Sequence, residues 1–282
     1  MRIPVIARMR SIRSNPAFRD CFGTSCLAMT VMISFLLCSP AAAQEWKELR
    51  SGHFLVYYLK DDAFARDVSA RAEEYYENIA SDLGYSRYDN FWTWDSRAKI
   101  YIYRSREDYL KATAAKEWSF GLSRYDKREI VSYVYSPKFV KELLPHELAH
   151  LIFRDFVGFK GEVPVWLDEG VAQREEEGKR NTAALLLKEY IAKGDIIPLA
   201  QLTQMDIARE DDTEISRKFY VEAAALVDFL IDRYGKSSFT FFCRELRDGK
   251  TLDKALASAY GSYSVSNVEE LEAAWIKYYG GM

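Results

Sequence analysis

Beyond its first 43 residues the chain is almost without cysteine. Of four cysteines, Cys21, Cys26 and Cys38 lie in that opening stretch, which leaves Cys243 alone in the remainder. No disulfide can then form within the remainder, even in an oxidising compartment. Cys243 follows Phe241 and Phe242 and reads as a small apolar packing residue. An excess of basic charge is also missing: 39 Lys and Arg stand against 42 Asp and Glu, a formal charge of −3. The opening 43 residues hold five arginines and one acidic residue, so the rest is more acidic still. That balance argues against nucleic acid as a partner. The chain shows no internal repeat and no long low-complexity segment. Histidine is scarcer than cysteine, with three in 282 residues, and two of these three stand four residues apart.

That pair lies in His146-Glu147-Leu148-Ala149-His150, an H-E-x-x-H motif. On a helix, residues four apart are separated by about 40° around the axis and about 6 Å along it. Two imidazoles can then converge on one metal ion from a single face. Glu147 points about 100° away from His146. It is a poor third ligand there, but it can reach a water held by the metal and take its proton. Leu144, Leu148, Leu151, Ile152 and Phe156 form an apolar stripe at helical spacing, as an ordinary core helix would have. Packing and metal binding are compatible on such a helix. Pro145 implies that the helix begins or kinks next to His146.

The run Pro164-Val165-Trp166-Leu167-Asp168-Glu169-Gly170 follows, with a helical pattern to residue 177. Gly158 and Gly161 mark the loop before it. Two helices joined by so short a loop pack antiparallel, which returns Glu169 towards His146 and His150. Two histidines and a glutamate leave the fourth position of a tetrahedral zinc for water.

With H-E-L-A-H followed by W-L-D-E-G, the chain resembles the gluzincin metallopeptidases, and most of all their small extracytoplasmic peptidase MA-like members. The similarity extends through Phe219 to Leu226 and ends near Leu271 to Trp275, over roughly the C-terminal half. It implies a zincin-like α+β fold: an N-terminal sheet-containing lobe, a mainly helical C-terminal lobe, and the active-site helix between them. It also implies Zn2+ held by His146, His150 and Glu169, with Glu147 as general base and a peptide or protein as substrate. Gluzincins stabilise the oxyanion with a histidine or tyrosine; Tyr220, on a later helical segment, is the candidate here. His53, in an early strand-like stretch, is expected to bond or pack locally.

Two departures stand out. No G-x-M-E-N run precedes the zinc motif, which shifts the expectation from aminopeptidase towards endopeptidase. Gln173 occupies the place, four residues after the glutamate ligand, where thermolysin-like enzymes carry an aspartate that orients a histidine. The alternative function is a catalytically silent zinc-containing module that binds peptides or partner proteins; retention of Glu147 argues against it.

Residues 1–43 read as a secretory signal peptide: a basic start, an apolar run over 22–38, and Ala41-Ala42-Ala43 before Gln44. The long basic region allows a start at Met9. The other reading is an uncleaved membrane anchor, since 17 apolar residues approach the lower limit for a span. Leu37 makes a lipoprotein through Cys38 a poor reading. The expectation is an extracytoplasmic protein, periplasmic or secreted, cleaved near Ala43 and without a stable membrane span afterwards. Residues 44–282 then suit one zincin-like domain, with a sheet-rich lobe over 44–137 and a helical lobe over 138–282. Oligomeric state is not legible.

Residues 53–58 and 99–103 read as strands, with a helix over 62–83 closed by Gly84. Residues 129–135 read as a strand that either forms the cleft wall and pairs with extended substrate or is already paired on both sides. After Glu169 the pattern is helical over 181–193 and 217–234, with shorter runs from Ser237 and Thr251. Glu175 to Glu177 reads as a solvated helix end. Aromatic residues make up 15% of the chain. Phe91, Trp92, Trp94 and Trp118 fall in expected loops, where closing a small core is favoured over gripping sugars or peptides.

Overall fold

A computed structural model describes residues 45–84, 92–115, 117, 119–136, 139–159 and 163–281. The signal-peptide reading of 1–43 lies outside the described residues, as do Phe91, Trp118 and Gly161. The fold is α+β, as the sequence implies, with a five-stranded sheet towards the N-terminus and helices almost throughout the rest.

The strands are β1 (Lys47–Arg50), β2 (Phe54–Tyr58), β3 (Ala98–Tyr103), β4 (Leu122–Arg124) and β5 (Glu129–Tyr133). Their order in the sheet is β1-β2-β3-β5-β4. β2, β3 and β5 run parallel; β1 and β4 flank them antiparallel. β5 is therefore paired on both sides, and β1 and β4 are the two edge strands. Of the two readings of residues 129–135, the strand paired on both sides is the one observed, and the substrate-pairing reading is corrected: beside the site, strand addition is open to β4, not β5.

Period-two alternation sorts the sheet into two faces. Phe54, Val56, Tyr58, Ala98, Ile100, Ile102 and Ile130 are buried in the main core with helix α1 (Asp62–Asp82). The other face carries Tyr101, Tyr103, Val131 and Tyr133, and helix α2 (Arg106–Thr113) covers part of it with Tyr109. Trp92 is buried in the main core, in agreement with the packing expectation for that residue.

The metal helix is α3 (Leu144–Val157), and a π-helical turn over Phe139–Leu143 leads into it. Pro145 stands at the start of α3, where its missing N–H costs least. The left-handed Gly158, φ 82°, ends it. Next come α4 (Val165–Glu175), α5 (Lys179–Lys193), α6 (Leu199–Leu202) and α7 (Thr213–Tyr234). The chain closes with α8 (Lys236–Arg247), α9 (Leu252–Tyr260) and α10 (Val268–Gly280). Asp212 caps α7 by accepting from the backbone N–H groups of Glu214 and Ile215. α4 lies between α3 and α7. A Cβ at Gly170 would stand 2.5 Å from the carbonyl oxygen of Ala223, so only glycine lets α4 approach α7 this closely. Cys243 is fully buried, as expected for a packing residue. Among the described residues, no helix is long and apolar enough to cross a membrane.

Candidate metal centre

The antiparallel run of α3 and α4 places Glu176 beside His146 and Asp168 beside His150 and Arg154. Glu169 thereby returns to the histidines, as its spacing implied. His146 Nε2 and His150 Nε2 are 3.2 Å apart, and each is 3.8 Å from Glu169 Oε2. A tetrahedral ion with ligands at about 2.0–2.1 Å requires donors about 3.4 Å apart, so this triangle fits one. Among the described residues, these three form the group able to hold a metal.

The remaining polar atoms fit the same ion. His146 Nδ1 is 2.9 Å from Glu176 Oε1, and His150 Nδ1 is 2.9 Å from Asp168 Oδ1. A carboxylate at each Nδ1 favours a proton there and aims the Nε2 lone pair at the shared point. The two Nε2 atoms can bond to each other only if one carries a proton, and buried Glu169 Oε2 has no hydrogen-bond partner, so a shared cation would satisfy all three atoms at once. Burial opposes a charged His146, but the surrounding Glu176, Glu147 and Glu169 carboxylates push its pKa up to about 9. Burial raises the Glu169 carboxyl against the opposing pull of both histidines. Asp168 is lowered despite burial, because His150 and Arg154 stabilise its charge.

Glu147 is fully buried, and neither of its carboxylate oxygens has a hydrogen-bond partner. An unpaired buried carboxylate is costly in a merely structural position. Tyr220, from α7, is 9% exposed, and its phenol pKa is raised by burial and then by Glu169 and Glu176. His53 is remote from the trio: its Nδ1 is 2.6 Å from Glu73 Oε2, and its ring stacks on Tyr76, so it bonds locally as expected.

One departure is explained and one expectation corrected. At the Gln173 position the amide donates to Glu176 Oε1, and it is Glu176 that meets His146. The acidic run at 175–177 is a solvated end only at Glu177. Glu175 is buried between Arg174 and Arg180, and Glu176 is largely buried against His146. The sequence carried a faint signal: Glu176 falls seven residues after Glu169, two helical turns on, and so shares its face. Asp168 was part of the quoted motif, but its pairing to Arg154 and His150 needs the interhelical geometry. Tyr125, in the turn between β4 and β5, also approaches the centre; its ring meets that of His150 edge-on at 5.8 Å.

The family model for the Peptidase MA superfamily matches residues 92–279, well over half of the chain. The chain belongs to the Peptidase MA superfamily. The superfamily match spans β3 to α10, including both motifs and every residue of the trio. No curated protein matches the sequence. Among solved structures, this superfamily member is similar to a mutant M1 zinc metallopeptidase from Deinococcus radiodurans. The TM-score is 0.46 at 15% identity, over 82% of this chain and 52% of that one. The chain thus spans about half the length of that enzyme.

Proposed function

We propose that this protein is a zinc-dependent peptidase that hydrolyses peptide bonds outside the cytoplasm. The observation that carries the reading is the His146–His150–Glu169 triangle beside an unpaired, fully buried Glu147. Two imidazoles, a carboxylate and room for a fourth ligand are the donor set of a catalytic zinc. Bound zinc supplies Lewis acidity, which lowers the pKa of a coordinated water towards 7.

The chain's own residues would do the rest. Glu176 and Asp168 hold the imidazoles with Nε2 facing inwards. Glu147 takes a proton from water and passes it to the leaving amine. Tyr220 would donate to the oxygen that gains charge, since burial and nearby carboxylates keep its phenol protonated. The edge strand β4 would pair with an extended peptide, backbone to backbone. Sheet-rich and helical lobes over 44–137 and 138–282 would then face each other across the substrate. Extracytoplasmic action rests on the basic, apolar and small-residue pattern of residues 1–43.

The test is cleavage of a mixed peptide library by the zinc-loaded protein beside Glu147→Ala. Cleavage by the parent alone supports the reading. One zinc bound by each, with no cleavage by either, would turn it towards the silent binding module; equal cleavage by both would refute the mechanism.

A further inference from the structure

Tyr220 is not the sole phenol at this centre. Tyr125 follows the edge strand β4 and precedes β5. The register pairs Leu122 with Val131, Ser123 with Ile130 and Arg124 with Glu129. Ile130 belongs to the main core, on the α1 side of the sheet, whereas Val131 lies beneath α2 on the other face. Ser123 therefore faces inwards, and Tyr125, in the turn just past β4, packs against the same core.

Several contacts hold Tyr125 there. The guanidinium of Arg154 lies 4.4 Å from its ring centroid, and Arg154 is itself anchored to Asp168. The ring edge meets His150. The turn is bolted to α3 by Arg128, which pairs with Asp155, and Trp92 donates to that same carboxylate. Burial, then Glu147, Asp168 and Glu169, raise the phenol pKa well above its ordinary value. Glu147 leads the charged neighbours of Tyr125, while Glu169 leads those of Tyr220. Tyr125 comes from the turn beside the sheet and Tyr220 from α7. Tyr125 is half-buried, whereas Tyr220 is 9% exposed.

We propose that Tyr125 is a further catalytic residue, whose hydroxyl donates a hydrogen bond to the reacting peptide group on the Glu147 side. The proposal rests on the peptidase reading above. Tyr125 keeps its proton throughout. It stabilises charge developing on the carbonyl oxygen, and the proton transfers of hydrolysis run through Glu147. The competing account is packing alone, with the ring filling space between Arg154 and His150. Tyr125→Phe separates the two, because it keeps the ring and removes only the hydroxyl.

The experiment compares the zinc-loaded full chain with Tyr125→Phe and Tyr220→Phe on a mixed fluorogenic peptide library. Zinc content and the affinity for a phosphinic peptide, a mimic of the tetrahedral state, are measured alongside. The expected result for Tyr125→Phe is a kcat lower by about 10²–10³-fold, with KM and zinc content little changed. The phosphinic peptide should bind correspondingly more weakly. Unchanged kcat and phosphinic affinity would overturn the proposal and leave the peptidase reading standing. A rise in KM at constant kcat would overturn it too, as would loss of zinc, since the phenol would then serve ground-state binding or metal positioning. If the parent neither cleaves the library nor binds the phosphinic peptide, the peptidase reading falls and the proposal with it.

Discussion

Glu176 Oε1, just past the end of α4, lies 2.9 Å from His146 Nδ1 on α3, 30 residues earlier in the sequence. Gln173 donates to the same oxygen, and Lys179 Nζ is 3.5 Å from the other. The carboxylate is thus held on both sides while it holds the imidazole. Replacing such a partner behind a metal ligand costs 10–100-fold in metal affinity. Glu176→Gln is expected to weaken zinc binding by about that factor, read by competition against a chromogenic chelator. Gln173→Ala, which leaves the carboxylate in place, is expected to lose less. Equal affinity in parent and Glu176→Gln would remove Glu176 from this role.

Gly170 adjoins Glu169, and its absent side chain sets how near α4 lies to α7. A Cβ there meets Ala223 O at 2.5 Å and Val227 Cγ2 at 2.8 Å. The first contact is backbone and cannot swing aside. Gly170→Ala must push α4 outwards, and Glu169 moves with it. Overpacking of this kind costs about 1–3 kcal/mol, a fall in Tm of roughly 2–12 °C for a chain of this size. Zinc affinity should fall as well. Unaltered melting and affinity would show that α4 is not held as closely as this contact requires.

How much of this was readable in advance follows from the range of the interactions. H-E-L-A-H is local: one helix sets the relation of His146, Glu147 and His150, and spacing alone indicates it. Glu169 required one further inference, that a short loop folds the next helix back. Glu176 and Asp168 were harder because their partners lie on the facing helix, and an acidic run looks the same whether solvated or buried. β4 has three residues, too few for a periodic signal, so nothing in the sequence shows that residues 129–133 have a partner on that side. Tyr125 was hidden among 19 tyrosines. Only the pairing of β4 with β5 brings it towards α3.

Removing the metal should act on the fold as well as on turnover. Without a cation, two imidazole nitrogens 3.2 Å apart and the unpaired Glu169 Oε2 are left facing one another. A ligand that binds only the folded state stabilises it by RT ln(1 + [L]/Kd), about 4 kcal/mol at a thousandfold excess over Kd. Chelation with EDTA is therefore expected to lower Tm by roughly 8–16 °C, and added zinc should restore it. His146→Ala, which removes one ligand, should melt at nearly the same temperature with and without EDTA. The same large EDTA shift in His146→Ala would place the stabilising ion elsewhere.

Glu222, on α7, is fully buried, and both its oxygens lie 3.1 Å from the backbone nitrogen of Ile197, at the bend before α6. Burial raises its pKa from 4.5 to about 8; the Ile197 N–H and Lys218 oppose the rise, while Asp195 and Glu272 add to it. The folded protein thus retains a proton that the unfolded chain releases near 4.5. Stability from this group is intact below about 4.5 and is lost as pH climbs towards 8, the reverse of an ion-paired carboxylate. Glu222→Gln keeps an acceptor for Ile197 and cannot ionise. It is expected to be more stable than the parent at pH 8, with the advantage shrinking steadily towards pH 4.5. Urea titrations across that range would measure the gap. A gap independent of pH, or one that widens on acidification, would mean that Glu222 is already ionised in the folded protein.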